Sequence, residues 1–287
     1  MSIIAVIFDY DDTFVPDTTS LLLEHYGLNT EEFWEVEFKN LVERGYCPTH
    51  AYLKLLLDKI KEGESLRGLT NRKLREFGAI AAKKQYKGLH GLFRDLRKIV
   101  EGYRDIDIEF YIISGGLEEI IKGNPFVEKN FNGVYGCRLA GDDESNDCVL
   151  KYIKRCITFT EKTRYLFEIN KGISPEDSDQ DPSAVNKQVD IKDRRIPFDN
   201  MLYIGDGLTD IPCFSLIEKM KGVSCGIVHT ERTSSAKMKI FEQILLTKRT
   251  WGAYAPRYGS NHSLGDFIRQ LIIQRCNIIK REKQRRT

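Results

Sequence analysis

The sequence predicts an α/β fold in which a doubly wound parallel sheet carries a small helical domain inserted after its first strand. Short continuous runs of apolar, β-branched residues recur along the chain, and segments with helical spacing of apolar residues separate them. Strands that alternate with helices are typical of a parallel sheet covered on both faces. Residues 15–87 interrupt this alternation, because they carry helical signals and no strand candidate.

Four apolar runs predict the strands of the parallel sheet, because each is short and lacks the polar alternation of a half-exposed strand. The runs are Ile3–Phe8, Ile108–Ile113, Met201–Ile204 and Val223–Val228. Apolar spacing near 93–100 and 117–121 predicts helices between strands. Val134–Leu139 and Cys148–Ile153 flank a polar turn at 141–146, so they predict a β-hairpin.

Capping signals predict three helices within residues 15–87. Thr30 precedes two glutamates and is expected to cap the first helix, which Gly45 ends. Thr49 is expected to begin the second helix, which runs to Gly63, and Thr70 to begin the third. These signals predict a compact helical unit.

The chain is therefore expected to form two domains. Residues 1–14 and 88–287 form a discontinuous catalytic core, and residues 15–87 form the helical insert. Within the core, the polar, proline-containing segment Ile173–Asn200 predicts a long surface loop with a composition typical of disorder. The basic segment Arg275–Thr287 is expected to be a solvated, frayed terminus.

Composition narrows the class of protein. A net charge of +2 provides no overall field to attract nucleic acid or a membrane. Asp9 interrupts the first apolar run, which argues against a secretory signal, and no apolar stretch approaches the ~18 residues needed to span a bilayer. The 7 cysteines contain no Cys-x-x-Cys pair and are expected to be reduced thiols. The 5 histidines show no ligand spacing and are expected to be structural. We expect a cytoplasmic protein.

Carboxylates follow the first predicted strand directly, at Asp9, Asp11 and Asp12. A buried strand that ends in charges is costly unless those charges meet a cation or a ligand. In open α/β sheets, ligands bind at the carboxyl ends of the strands, where these residues fall. The cluster is therefore a candidate site for chemistry.

Three further motifs fall at corresponding places. Ser114 and two glycines follow the second strand, Asp206 and Asp210 follow the third, and Lys162 lies at the start of a helical run. Carboxylates suit a hard cation, while a hydroxyl, free amides and a lysine suit phosphate oxygens. Phosphoryl transfer needs this combination of groups.

The combination resembles the haloacid dehalogenase-like superfamily of phosphatases. The residues that match its four motifs, in chain order, are Asp9 with Asp11, Ser114, Lys162, and Asp206 with Asp210. The resemblance implies a Rossmann-like core, and the helical insert looks like the C1 cap of that superfamily. The Ser-Gly-Gly sequence and the hairpin before Lys162 look most like the phosphoserine phosphatase subgroup.

The resemblance also implies roles for these residues. Asp9 would attack phosphorus and form an aspartyl phosphate. Asp11 would protonate the leaving alkoxide and then deprotonate water. Ser114 and the amides around Gly115 would bind phosphoryl oxygens, and Lys162 would offset charge in the transition state.

The implied cofactor is Mg²⁺, held by Asp9, the carbonyl of Asp11 and Asp206, with Asp210 in the same acidic group. The expected function is Mg²⁺-dependent hydrolysis of a small phosphorylated metabolite, without nucleic-acid or membrane partners. A phosphotransferase or phosphomutase would use the same four motifs, and a binding protein that has lost activity would keep them. The basic terminus suggests a nucleic-acid end-processing phosphatase, but a cap closes over small substrates.

The sequence departs from the family pattern in several places. Asp12 stands where the family usually has Gly or Ser, and an unusually long stretch separates Lys162 from Asp206. Lys151 and Lys171 therefore remain alternatives for the third motif.

Phosphoserine is not expected to be a selective substrate. In the phosphoserine subgroup an acid lies seven residues after the second aspartate of the first motif, where this chain has Thr18. Asp17 is adjacent, but on a helix a shift of one residue turns a side chain by about 100°. The best basic candidate on the second insert helix is Lys54, which lacks the fork of an arginine.

Overall fold

A mostly parallel sheet forms the centre of the protein, which a computed structural model describes for residues 1–61, 63–229 and 250–285. The strands of the described residues are β1 (Ser2–Phe8), β2 (Ile106–Leu117), β3 (Gly133–Ala140), β4 (Tyr152–Arg155), β5 (Met201–Gly205), β6 (Val223–Ile227) and β7 (Ala253–Tyr254). Their order in the sheet is β4-β3-β2-β1-β5-β6-β7, and only β3 and β4 pair antiparallel. The predicted α/β fold with a doubly wound sheet is confirmed.

The predicted strands are present, with two differences at their ends. β2 continues past Ile113 through the Ser-Gly-Gly sequence to Leu117, so the glycines lie in the strand, just before the helix that begins at Glu118. The second hairpin strand begins at Tyr152 and not at Cys148. Val149 and Leu150 pair with the insert instead, because Val149 forms a bridge with Thr70 and the Leu150 amide donates to the carbonyl of Leu69.

Helices connect the strands and surround the sheet. In the described residues they are α1 (Thr18–His25), a π-helical segment (Glu32–Phe38), α2 (Lys39–Glu43), α3 (Pro48–Ile60), α4 (Asn71–Ala81), α5 (Leu89–Glu101), α6 (Glu118–Lys122), α7 (Pro125–Asn130), α8 (Glu161–Lys171), α9 (Pro175–Gln180), α10 (Ile211–Lys219) and α11 (Ser263–Gln284). Short 3₁₀ turns fill several connections. Residues 15–87 thus hold helices and turns, from α1 to α4.

The boundaries of the insert helices correct part of the sequence prediction. Asn29, and not Thr30, caps the helix that contains the π segment, because its side chain accepts two backbone N–H groups. Pro48 begins α3 one residue before Thr49, since proline is well suited to the first turn. Thr70 caps α4 as predicted and accepts the Lys73 amide at 3.2 Å.

Each face of the sheet has its own hydrophobic cluster, and the insert belongs to one of them. Ile3, Ala5 and Ile7 of β1 pack in a cluster that includes buried side chains of α1, the π segment, α3 and α4. Ile4 and Val6 point to the other face, toward α5 and α11. The insert therefore shares its core with the sheet.

Two glycines let α4 and α6 approach closely. A Cβ at Gly78 would overlap the backbone carbonyl of Ile120, and a Cβ at Gly123 would overlap the backbone of Arg75. This backbone contact fixes the last insert helix against the core.

The segment Ile173–Asn200 lies largely at the surface, as predicted, but it is ordered, unlike the disorder that its composition suggested. It contains α9, which Ser174 caps in a reciprocal capping box with Asp177. Ile196 and Phe198 are buried in the cluster that includes the insert. The composition misrepresented the order of this segment because a few buried apolar side chains attach it to the core.

The basic terminus is also structured up to residue 285. α11 runs for 22 residues, and its residues Cys276 and Ile279 are buried against the sheet. Arg275 forms an ion pair with Asp199 at 2.7 Å. The frayed terminus predicted from the charge pattern is therefore replaced by a packed helix. None of the described helices is both long and apolar enough to cross a membrane.

Candidate active site

The motif residues meet at one edge of the sheet because their strands are parallel neighbours in register. Phe8 lies beside Ile112 of β2 and Ile204 of β5, so the residues that come shortly after these three in the chain lie close together. The Asp9 amide donates to the carbonyl of Ile204 at 2.8 Å. Three motifs that are far apart in the sequence thus form one site.

Lys162 lies at the centre of this site, at the start of α8. Its ammonium is 1% exposed and lies 3.1 Å from Asp9 Oδ1 and 2.7 Å from Asp210 Oδ1. Burial alone would lower the pKa of Lys162, but the charges of Asp210 and Asp9 outweigh it and raise the pKa. Tyr203 also donates its hydroxyl to Asp210 Oδ1 at 2.7 Å. The buried lysine is therefore a fixed cation.

Asp9 is buried and held through one of its two oxygens. Asp9 Oδ1 accepts a hydrogen bond from the Tyr10 amide at 2.8 Å and also contacts the Lys162 ammonium. Within the described residues, no hydrogen bond reaches Asp9 Oδ2. Burial and the charge of Asp210 raise the pKa of Asp9, and Lys162 and the Tyr10 amide oppose this rise. A cation beside Asp9 would favour its carboxylate form.

Asp11 faces the same cavity in a different electrostatic environment. Its Oδ1 accepts the amide of Thr18 at 2.8 Å and the hydroxyl of Thr18 at 2.6 Å. Gly116 permits this position, because an added Cβ would overlap Asp11 Oδ2. Burial, followed by the charge of Asp17, raises the pKa of Asp11 well above its ordinary value, against the Thr18 bonds. Such a carboxyl group keeps its proton to a higher pH than an ordinary aspartate does.

Ser114 and Gly115 line the cavity on the β2 side. The hydroxyl of Ser114 is buried and accepts the Gly116 amide at 3.0 Å. The Gly115 carbonyl accepts the hydroxyl of Tyr52 at 2.5 Å and the thiol of Cys137 at 3.2 Å. This strand end is therefore held from the insert and from β3.

Two groups of side chains have the spacing of metal ligands. Oxygens of Asp9, Asp206 and Asp210 all lie within 4.8 Å of one another. Atoms of Asp12, Asp206 and His229 form a second such group within the same 4.8 Å limit. The first group offers only carboxylate oxygens, which fits Mg²⁺ better than a softer metal.

The turn after β1 explains the departure at Asp12. Asp12 has a φ of 55°, in the left-handed region where glycine is favoured and aspartate is tolerated. His229 Nε2 lies 2.5 Å from the Asp12 carbonyl oxygen. Sequence reasoning treated His229 as structural, and no local spacing could have linked it to a residue so distant in the chain.

The alternative lysines lie in other contacts. Lys151 pairs with Asp142 in the hairpin turn. Lys171 donates to the backbone carbonyl of Lys187 at 2.7 Å, and also to that of Val185. Of the three candidates for the third motif, Lys162 contacts the carboxylates.

The carboxylates open into a cavity of about 230 Å³ between the sheet edge and the insert. Its acidic lining residues are Asp9, Asp11, Asp12, Asp17 and Asp206. Its aromatic lining residues are Trp34, Phe38, Tyr52 and Phe159. No Lys, Arg or His of the described chain lines it. The cavity is acidic and partly aromatic.

Of the positions considered for phosphoserine recognition, Thr18 and Lys54 supply no charge to the cavity, whereas Asp17 lines it. Thr18 binds Asp11, and Asp17 caps α1 by accepting the amides of Thr19 at 3.2 Å and Ser20 at 3.0 Å. Lys54 pairs with Asp58 and does not line the cavity. The hydrogen bonds from Thr18 to Asp11 were not predicted from the sequence. A local signal for them exists, because α1 begins soon after β1 in the chain.

Comparison with known proteins gives one informative relative. No family model matches the chain. The chain is similar to an uncharacterized protein of Borreliella burgdorferi, with 31% identity over 242 residues that cover 76% of this chain and 80% of that protein. Identity at this level over most of both chains is evidence of common descent. The chain therefore belongs to the same family as this Borreliella burgdorferi protein.

Proposed function

We propose that the protein is a Mg²⁺-dependent phosphatase that hydrolyses a small phosphomonoester through an aspartyl phosphate. The observation that carries this proposal is the buried contact of Lys162 with Asp9 and Asp210 at the sheet edge, beside Asp11. The fixed lysine reduces the repulsion between a carboxylate nucleophile and a phosphate dianion. The resemblance of the four motifs to haloacid dehalogenase-like phosphatases supports the same assignment.

In the first step, Asp9 Oδ2 attacks phosphorus while the bond from phosphorus to the leaving oxygen breaks. Asp9 Oδ1 stays bound to Lys162 and the Tyr10 amide, which orients the carboxylate. The leaving oxygen takes the proton that Asp11 carries, which its raised pKa makes available. The products of this step are the free alcohol and an aspartyl phosphate.

In the second step, water attacks the phosphorus of the aspartyl phosphate. The Asp11 carboxylate accepts the proton of this water, and the bond from phosphorus to Asp9 Oδ2 breaks. Inorganic phosphate leaves, Asp9 is regenerated and Asp11 is protonated again. Ser114, buried at the end of β2, and the neighbouring amides would bind the phosphoryl oxygens in both steps.

Asp9, Asp206 and Asp210 would hold the metal ion. When bound, Mg²⁺ neutralises negative charge on the phosphoryl oxygens. Lys162 supplies only one positive charge to these three carboxylates, so binding of a metal cation should further stabilise the folded protein.

The test measures phosphate release from p-nitrophenyl phosphate and from a panel of small phosphomonoesters, with and without Mg²⁺. Asp9→Asn should abolish turnover while the protein stays folded, because the amide is nearly isosteric but a poor nucleophile. Asp193→Asn, at an exposed position, is the matched control. Rapid acid quench followed by mass spectrometry should find one phosphoryl group on the peptide that contains Asp9.

The same experiment separates the alternatives. Transfer of the phosphoryl group to added alcohols without phosphate release would identify a phosphotransferase or phosphomutase. No turnover with any substrate would identify a binding protein. Retention of even a tenth of the normal rate by Asp9→Asn would contradict the covalent mechanism. The cytoplasmic location and the absence of a nucleic-acid partner stay predictions.

A further inference from the structure

Aromatic side chains of the helical insert line the active-site cavity as a contiguous group. The ring centroids of Trp34 and Phe38 lie 5.1 Å apart, and those of Trp34 and Tyr52 lie 6.3 Å apart. Trp34 and Phe38 belong to the π-helical segment, a rare conformation that is frequent at functional sites. These three residues form what we call the aromatic wall.

A hydrogen-bonded chain connects this wall to a carboxylate. Trp34 Nε1 donates to Ser20 Oγ at 2.8 Å, and Ser20 Oγ donates to Asp17 Oδ2. Asp17 lines the same cavity and caps α1, so its position is fixed by the helix. The indole face and the carboxylate are thus held as one unit.

The charges of the cavity restrict the substrate further. Asp9, Asp11 and Asp206 have roles in the phosphoryl chemistry, whereas Asp12 and Asp17 have none; of these two, Asp17 is connected to Trp34 through Ser20. In the described part of the chain no Lys, Arg or His forms an ion pair with Asp17 or lines the cavity. Among the described residues, a substrate carboxylate beside Asp17 would meet no side-chain cation, whereas an organic ammonium group would meet both a carboxylate and aromatic faces.

We infer that the substrate is a small phosphomonoester whose alcohol carries an ammonium group and no carboxylate, bound by Asp17 and the aromatic wall. This inference rests on the proposed phosphatase function for the fate of the phosphate. The cavity of about 230 Å³ is smaller than the 300–1,000 Å³ typical of sites for drug-sized ligands, which favours a short alcohol. A quaternary ammonium would interact mainly with the aromatic faces, and a primary ammonium would interact mainly with the Asp17 carboxylate.

The decisive comparison is between phosphocholine and 3,3-dimethylbutyl phosphate, its neutral isostere with carbon in place of nitrogen. The value of kcat/KM for phosphocholine or phosphoethanolamine should exceed that for the isostere by about tenfold or more, as expected for a desolvated cation–π contact with a nearby carboxylate. Phosphoserine, which adds a carboxylate to phosphoethanolamine, should react at least about tenfold less efficiently than phosphoethanolamine. Equal values for the ammonium compounds and the isostere, or a preference for phosphoserine, would overturn the inference.

Variants assign the preference to these residues. Asp17→Asn keeps an acceptor for the α1 cap but removes the charge, and Trp34→Leu removes the indole face. Both should reduce the ratio of kcat/KM between phosphocholine and its isostere toward one. Trp251→Leu is the matched control, because Trp251 is 56% exposed and does not line the cavity. An unchanged ratio in both cavity variants would refute the assignment.

Calorimetric binding separates failure of this inference from failure of the proposed function. If no phosphomonoester is hydrolysed but phosphocholine binds more tightly than the isostere, the phosphatase proposal is wrong and the ammonium subsite stands. If all are hydrolysed with equal efficiency, the phosphatase proposal stands and the ammonium subsite is wrong.

Discussion

Glu118 is the residue whose substitution should test the stability of this architecture most directly. It follows β2, has no exposed side-chain surface, and accepts hydrogen bonds from Arg138 at 2.6 Å and from the Gly136 amide at 3.1 Å. Arg155 and Lys122 also pair with it. One buried carboxylate thus joins the end of β2 to the β3–β4 hairpin.

We expect Glu118→Gln to lower the free energy of unfolding by about 3 kcal/mol at neutral pH. Removing one partner of a buried ion pair costs about 3–5 kcal/mol when the remaining charge is left uncompensated. The low end of this range applies here for two reasons. Arg138 and Arg155 both keep Asp179 as a second partner, and the third cation, Lys122, is partly exposed. At roughly 2 °C per kcal/mol for a chain of this size, Tm should fall by about 6 °C.

The measurement is thermal unfolding followed by circular dichroism, with Glu119→Gln as the matched control. Glu119 is the next residue and pairs with the half-exposed Arg75, so its loss should cost less than about 1 kcal/mol. If the two variants lose the same small amount, the buried network does not stabilise the hairpin as argued.

The pH dependence of this difference follows from the pKa of Glu118. Burial alone would raise the pKa, but the charges and hydrogen bonds of Arg155, Arg138 and Lys122 outweigh burial and lower it. The stabilisation should therefore be complete above the ordinary glutamate pKa of about 4.3 and should be lost as the pH falls through the lower pKa of the folded state. The difference in Tm between Glu118→Gln and the unmodified protein should shrink in acid and persist at neutral pH.

Three further predictions concern the site and the insert. Mg²⁺ at about 100 times its Kd should add about 2.7 kcal/mol to the free energy of unfolding and so raise Tm. Asp206→Asn should remove most of this rise in Tm, and a variant that keeps the rise would show that the metal binds elsewhere. Without Mg²⁺, Lys162→Met should lower the free energy of unfolding in urea by about 3–5 kcal/mol, because two buried carboxylates lose their cation. An unchanged urea concentration at the unfolding midpoint would contradict this prediction. Gly78→Ala should separate α4 from α6 and lower the free energy of unfolding by about 1–3 kcal/mol, with a lower Tm. Gly91→Ala places its Cβ in open space and should be neutral or stabilising. Equal effects of the two variants would refute the close-packing argument.

The strands and the carboxylates of the candidate site were predictable because their signals are local. A strand buried on both faces shows its burial in every residue, as Ile3–Phe8 does. Charged residues directly after such a strand indicate a site, and this signal does not depend on distant residues. Asp9 and Asp206 could therefore be identified from the sequence.

The features that sequence reasoning missed depend on tertiary contacts. The order of the 173–200 segment depends on Ile196 and Phe198, which contact a core formed by distant residues. His229 reaches Asp12 across 217 positions in the chain. The π segment that presents Trp34 differs from an ordinary helix by one hydrogen-bond register, which residue preferences do not encode.

The position of β1 in the middle of the sheet has a consequence for synthesis on the ribosome. β1 is made before both of its neighbours, and its second neighbour, β5, is complete only at residue 205. At about 5–20 residues per second, roughly 10–40 s pass between the emergence of the central strand and that of its last partner. The apolar run Ile3–Phe8 has two unpaired edges until β2 is made and one unpaired edge until β5 is made, so the nascent chain should be a client for a chaperone that binds extended apolar segments.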